Sequence, residues 1–365
     1  MCIVLLLSLL LLRLLLMCCA VPLGCCAVLL IACALSPSAH VNDYQQHALA
    51  PSRQAPQRGS IVVSWLGTTT LLFDDGVTQL MIDGFITRPS WRHLLFRPIE
   101  TDPSVIERKL PQSRRVRLNA LFVSHSHYDH VLDAPYLVRR SPGAKLYGSS
   151  STQMVGLGSG LGEDQLQTFA AGAEYCIGDF RVKVLTSKHS PARWFNDDLG
   201  QTIESNLEQP AYYREFAEGG TFDFLITHGS RRIFVKASAN FADKKELSPD
   251  ESEVDVLFLA TATLGRQSKE FQDQLYDEVI GKLNPELVIP IHWDNFFSAT
   301  TNGFEPSMRA VDDVTGAFNF LIDRLRRDKR RFGILRDDRP VMILGETGDA
   351  ANHKRCRDVH TPSRF

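Results

Sequence analysis

Six consecutive residues, His125-Ser126-His127-Tyr128-Asp129-His130, concentrate three imidazoles and a carboxylate directly after an apolar run. Imidazole nitrogen is the usual ligand of zinc and related divalent ions, and a carboxylate offsets part of their charge. In an extended segment His125 and His127 point the same way, because side chains alternate with a period of two. Asp129 and His130 fall where a helix begins, and so can serve a second, adjacent position. A bound divalent ion lowers the pKa of its water from about 16 towards about 7, which makes hydroxide available at neutral pH. Asp129 is the group placed to orient that water or carry its proton. The chain has no Gly-x-Ser-x-Gly, so no serine nucleophile of that type competes. Gly156-Leu157-Gly158-Ser159-Gly160 lacks the Lys-Ser/Thr ending of a phosphate loop and reads as an ordinary loop.

The hexad must be held by what surrounds it. Val116–Val123 is an apolar strand that runs into His125, and Asp129–Arg140 has helical spacing, with Val131, Leu132, Tyr136 and Leu137 on one face. Upstream, Ile61–Trp65, Thr69–Phe73 and Val77–Asp83 read as short strands, the last two joined at Asp74-Asp75-Gly76. Downstream, strands are expected at Lys145–Tyr147, Phe180–Leu185, Phe222–Thr227, Arg232–Lys236, Val254–Ala260, Leu287–Ile291 and Pro340–Leu344. Amphipathic helices are expected at Glu270–Leu283 and Val311–Arg327. Runs of strands followed by strand–helix–strand units suit two packed sheets with helices on their outer faces, an α/β architecture. Pro191–Gly220 has no clear periodicity and reads as a long insertion, a kind of segment that often carries function.

The hexad has the form His-x-His-x-Asp-His after a core strand. With Trp65-Leu66-Gly67-Thr68-Thr69 and Met81-Ile82-Asp83-Gly84, it makes the chain resemble the metallo-β-lactamase superfamily from about Ile61 to Leu344. The closer likeness is to the branch containing ascorbate-phosphate lactonases and N-acyl-phosphatidylethanolamine phospholipase D enzymes. The resemblance implies a four-layer αββα sandwich with metals at one edge between the sheets. It implies His125, His127 and His189 (in Ser187-Lys188-His189-Ser190) as ligands of a first metal. Asp129, His130 and His292 (in Ile289-Pro290-Ile291-His292-Trp293-Asp294) would hold a second. His40, His47, His93, His228, His353 and His360 match no motif position, although His228 also ends a strand.

The pattern departs from the family at one place. After Ile233-Phe234-Val235-Lys236 the chain continues Ala237-Ser238-Ala239-Asn240, with Ser238 about where many members carry an aspartate that bridges two metals. A neutral serine offsets the repulsion between two cations poorly. Three outcomes are open: a single metal, two metals bridged by hydroxide alone, or a carboxylate from elsewhere, with Asp294 and Asp243 as candidates. His127, where flavodiiron oxidoreductases on this scaffold resemble one another in carrying Glu, favours Zn2+, in one or two copies. Mn2+ or Fe2+ is also compatible with the set. The resemblance implies hydrolysis of an ester-type bond, phosphodiester or lactone, in a small-molecule or lipid-derived substrate. The alternatives are an iron-dependent oxidoreductase on the same scaffold and a non-catalytic metal-binding membrane lipoprotein.

Composition bears on location. The 365 residues are 44% apolar, with 40 Lys and Arg against 42 Asp and Glu and a net charge of −2. That balance argues against a nucleic-acid binder held by bulk charge. Apolar residues crowd into 3–12 and 14–35 around a single charge, Arg13. Leu30-Ile31-Ala32-Cys33 resembles the lipobox of bacterial lipoprotein signal peptides, so residues 1–33 read as a lipoprotein leader, an uncleaved anchor or a secretion signal. Each puts the body in the cell envelope, facing the periplasm or exterior. Residues 34–58 are rich in Pro, Ser, Gln and Ala and read as a flexible tether with a reach of about 25 Å. The hydrolase domain is expected over 59–346 and a tail over 347–365. Cys2, Cys18, Cys19, Cys25, Cys26 and Cys33 sit in the leader, leaving Cys176 and Cys356 as thiols expected to be unpaired. Trp194, Phe195, Trp293, Phe296 and Phe297 follow His189 and His292 as either a substrate wall or core packing. The basic run Arg324–Arg331 reads as a solvated helix end, with contact to anionic lipid as the other reading.

Overall fold

The structure, a computed structural model, describes residues 32–110, 118–193, 196–242, 253–298 and 303–345. The first-half strands are β1 (Ile61–Gly67), β2 (Thr70–Asp74), β3 (Gln79–Ile82), β4 (Leu118–Phe122), β5 (Lys145–Gly148) and β6 (Leu166–Thr168). Those of the second half are β7 (Glu174–Ile177), β8 (Phe180–Thr186), β9 (Phe222–His228), β10 (Arg231–Lys236), β11 (Val256–Ala260), β12 (Leu287–Ile291) and β13 (Arg331–Phe332), followed by β14 (Val341–Leu344). They form two seven-stranded sheets in the orders β14-β1-β2-β3-β4-β5-β6 and β13-β12-β11-β10-β9-β8-β7. Helices accompany them among the described residues: α1 (Trp91–Phe96), α2 (Pro103–Lys109), α3 (Tyr128–Val131), α4 (Ala134–Arg139), α5 (Ser150–Gly158), α6 (Lys269–Leu275) and α7 (Val314–Arg327).

Strand alternation sorts the side chains into layers. Leu71, Phe73, Leu80 and Ile82 enter the core between the sheets, whereas Leu72 and Met81 face a separate core on the outer side. That outer core is closed by Leu94 of α1, Ile106 of α2, Leu137 of α4 and Val155 of α5. On the other side, Leu275 of α6 and Phe318 and Leu321 of α7 pack against the second sheet. Its parallel strands β11 and β12 are buried at every position, which is why they read as unbroken apolar runs. The result is a four-layer αββα sandwich, the architecture the resemblance implies.

Several segments differ from the sequence expectation. Residues 34–58 are no free tether. Ser38 and Tyr44 are buried, Val41–His47 forms a 3-10 helix, and the backbone of Leu49 donates to Ile334. Polar composition hid this, because the segment docks mainly by backbone pairing and a few side chains. The helix expected over 129–140 divides into α3 and α4 around Asp133, whose carboxylate accepts the amides of Ile86 and Thr87 at 2.6 and 2.7 Å. The helix expected over 270–283 passes from α6 into a π turn at Tyr276–Gly281. Gly156 and Gly158 lie in α5 rather than in a loop, where close packing on Leu166 and Leu207 leaves no room for a Cβ. Cys176 is disulfide-bonded, with its partner outside the described residues. In the basic run at the end of α7, Arg324 is paired to Asp273 and Asp277.

One ion pair closes the seam between the sheets. Arg88 and Asp294 are fully buried partners, and the other oxygen of Asp294 accepts the Thr68 amide at 2.9 Å. Gly67, at φ 104°, has its missing Cβ in the space the guanidinium fills. This pair therefore ties the β1–β2 turn to the segment after β12. Removing one partner strands a buried charge, so Arg88→Met is expected to cost about 3–5 kcal/mol in chemical denaturation. Arg88→Met/Asp294→Asn is expected to recover part of that loss, a coupling that independent sites would not show.

Candidate metal centre

The hexad leaves β4 as an extended segment whose alternation splits it by role. The backbone is fixed on both sides of His125: the Ser124 amide donates to Asp83 at 2.7 Å and the Ser126 amide to the Glu218 carbonyl at 2.7 Å. His125 and His127 both turn to His189, each with its ring centred 4.8 Å from that imidazole. The His127 carbonyl then accepts the amide of His130 at 2.9 Å and starts α3, which carries Asp129 and His130. His189 stands three residues beyond β8, and His292 directly follows the fully buried β12.

These residues gather into two groups. His125, His127 and His189 have ligating atoms within 4.8 Å of one another, as do Asp129, His130 and His292. The groups adjoin, with the rings of His125 and His130 centred 3.7 Å apart. The orientation of each ring is set by the nitrogen that is already engaged. His125 Nδ1 lies 3.1 Å from Ser124 Oγ, which leaves Nε2 buried without a partner. His189 Nδ1–H donates to the Ser190 carbonyl at 3.0 Å. His130 Nδ1 meets Asp83 at 2.8 Å, and Asp83 also takes the hydroxyl of Thr69. His127 Nε2–H donates to both oxygens of Asp198 at 3.1 Å, leaving Nδ1 as its available nitrogen. His292 Nε2 sits 3.3 Å from Asp129 Oδ2, with Nδ1 buried and unpartnered.

Charge follows from burial. Burial and the neighbouring histidines hold His125 well below its ordinary pKa, and burial with His127 takes His189 down to about 3. Both are neutral lone-pair donors across the physiological range. Burial alone would raise the Asp129 carboxyl, but His130 and His292 outweigh it and keep the group well below the carboxylate range. Burial also pulls His292 down, and Asp129 more than reverses it. Neutral imidazoles, an ionised carboxylate and orphaned buried nitrogens are the donor set a divalent cation requires, so the residues fit one or two such ions.

Other candidates resolve differently. Asp294 is committed to Arg88 and Thr68 and does not face the ligands, so it supplies no bridging carboxylate. Ser238 lines the cavity, and its hydroxyl accepts the Ser190 amide at 2.8 Å rather than joining either group. Asp243, Trp194 and Phe195 lie outside the described residues, as do His353 and His360. His40, His47 and His93 belong to neither group. His228 pairs with Asp75 at 3.0 Å, at the far end of β9 from the centre. Trp293 is core, packed on Trp65 with ring centres 5.1 Å apart. Phe296 and Phe297 instead line a cavity of about 500 Å³ that opens over the ligands.

Three carboxylates at the site went unassigned in the sequence. Asp83 ends the quoted Met-Ile-Asp-Gly stretch, and its positive φ of 54° marks a constrained turn that an isolated Asp does not advertise. Asp198 sits in the insertion, without periodicity to place it. Asp312 lines the cavity almost wholly buried. Burial pushes its carboxyl up to about 6, against the opposing pull of the Thr263 and Asp313 amides.

A family model described as the metallo-beta-lactamase superfamily matches residues 63–166. A UPF0173 metal-dependent hydrolase of Anaeromyxobacter sp. (strain K) is 26% identical over 245 residues, covering 66% of this chain and 77% of that protein. Another, of Chloroflexus aurantiacus, is 32% identical over 140 residues, covering 37% and 54%. Among solved structures, the metallo-beta-lactamase fold protein YhfI from Bacillus subtilis overlays with a TM-score of 0.49 at 13% identity, covering 77% of this chain and 98% of that one.

Two outcomes are expected. Asp198→Ala should weaken metal binding about 10–100-fold in chelator competition, because His127 loses the group that fixes its tautomer. Asp312, with its pKa raised on folding, contributes stability that is full below its unfolded value and lost as pH rises through about 6. In chelator-treated protein, the unfolding free energy of Asp312→Asn relative to wild type should therefore gain about 3 kcal/mol between pH 4 and pH 8.

Proposed function

We propose that this chain, whose membership of the metallo-β-lactamase superfamily is supported by the family model and the curated relatives, is a metal-dependent hydrolase of an ester-type bond. A phosphodiester or a lactone is the favoured target, in a small-molecule or lipid-derived substrate with an apolar portion. The observation that carries this reading is the convergence of six ligating side chains in two adjoining groups, five of which line a cavity with apolar walls. Five imidazoles among six ligands favour Zn2+, with Mn2+ or Fe2+ compatible.

Divalent ions bound there would polarise the scissile oxygen and acidify a water. The chain's own groups do the rest. Asp129 is ionised and its carboxylate reaches the cavity, so it can orient the attacking water and take its proton at Oδ2. His292 holds that oxygen in place from Nε2. Trp91, Leu94, Phe296 and Phe297 exclude water from the region above the ligands and suit an acyl chain or ring. The apolar sequence before Cys33 supports a cell-envelope location, lipid-anchored or held by an uncleaved helix. Among the described residues no helix is long and apolar enough to cross a membrane.

The test is metal content together with turnover. Purified full-length chain should carry one or two zinc equivalents by plasma mass spectrometry and hydrolyse members of a phosphodiester or lactone panel. Asp129→Asn should keep the ion of the His125–His127–His189 group and lose about 10²–10⁴-fold in kcat. Iron with oxygen consumption, or metal without turnover across the panels, would contradict hydrolysis.

A further inference from the structure

The first described residues run directly along the rim of the cavity. Ala34 and Ser36 accept the amides of Ala310 and Arg309 at 2.8 and 2.9 Å, and the Ser38 amide donates to Ser307 at 2.8 Å. Leu35, between them, lines the cavity while remaining 43% exposed. Cys33, two residues before Leu35 in the same helical turn, is exposed. Two residues span at most about 7 Å, so whatever precedes Cys33 leaves the body at the cavity mouth. What precedes it is the long apolar sequence of residues 14–32, with a second apolar run before Arg13.

The opposite lip of the same mouth is α1. Trp91, Leu94 and Leu95 line the cavity, Leu95 is 44% exposed, and Phe96, the next residue, is 74% exposed. Arg92 and Arg97 stand exposed beside them. A short helix that presents aromatic and aliphatic side chains to solvent between arginines matches the chemistry of a lipid interface. The basic end of α7 lies elsewhere: its first turn follows Asp312 at the cavity, and the ten residues from Val314 to Arg324 carry the chain about 15 Å away before the arginines begin to cluster.

We propose that the cavity mouth is seated on a lipid bilayer, with Leu35, Leu95 and Phe96 entering the interfacial layer, so that substrate reaches the ligands from the membrane. This rests on the reading of residues 1–33 as a membrane-directed segment and is independent of the bond cleaved. The basic end of α7 then faces away from the lipid.

The full-length chain, reconstituted into phosphatidylcholine–phosphatidylglycerol vesicles containing brominated lipid, tests the orientation through tryptophan quenching. Phe96→Trp reports on the mouth. Val77→Trp reports on the β2–β3 turn, 63% exposed at the opposite end of the first sheet. Both positions are exposed, so neither variant disturbs the core. The expected result is at least twofold stronger quenching of the added emission in Phe96→Trp than in Val77→Trp. Equal quenching at both positions, or none at Phe96→Trp in protein that floats with the vesicles, would overturn the orientation while leaving membrane attachment intact. Failure of the chain to float with the vesicles at all would overturn both. Neither readout depends on turnover, so a failed hydrolase reading would show itself separately.

Discussion

Five imidazoles packed together out of water are stable in only two ways: neutral and hydrogen-bonded, or shared around a cation. Burial here drives His125 and His189 to the neutral form and leaves His125 Nε2 and His292 Nδ1 without partners. An unsatisfied buried nitrogen costs free energy that a bound cation returns. The requirement that these rings stay close, correctly rotated and dry shapes much of the surrounding structure.

Rotation is settled ring by ring through the nitrogen that each neighbouring group engages. Ser124, Asp83, Asp198 and the Ser190 carbonyl each occupy one nitrogen of one imidazole. Asp83 and His292 both hold positive φ, so two of the connections feeding the centre are under backbone constraint. Such conformations persist where neighbours over-determine them. The Arg88–Asp294 pair, with the Thr68 carbonyl accepting the His292 amide at 2.8 Å, provides that at the seam. The insertion over 191–220 joins the same arrangement, since Glu218 donates its amide to Asp198 at 3.1 Å and accepts the Ser126 amide through its carbonyl.

Much of this was legible before any coordinates. The hexad announced a metal site because its ligands are contiguous, and alternation in an extended segment is a local rule. β12 was read at its observed bounds, because Leu287–Ile291 is a continuous apolar run ending at a polar ligand. The supporting carboxylates were not legible: Asp83 and Asp198 are 47 and 71 residues from the histidines they hold, reach them only through tertiary folding, and nothing local separates them from surface acids. Asp294 looked like a ligand because of its place beside His292, whereas its true partner, Arg88, lies 206 residues away. Residues 34–58 looked like a tether because docking by backbone pairing leaves no periodic apolar signature.

Imidazole nitrogens from two separate strand ends would share each cation: His125 and His127 after β4 with His189 after β8, and His130 after β4 with His292 after β12. X-ray absorption at the zinc edge on the zinc-loaded, full-length chain tests it most directly. The structure calls for a first shell dominated by imidazole, with Zn–N at about 2.0–2.1 Å and outer-ring scattering from at least two histidines per ion. A shell of oxygen or sulfur alone, without imidazole scattering, would contradict it.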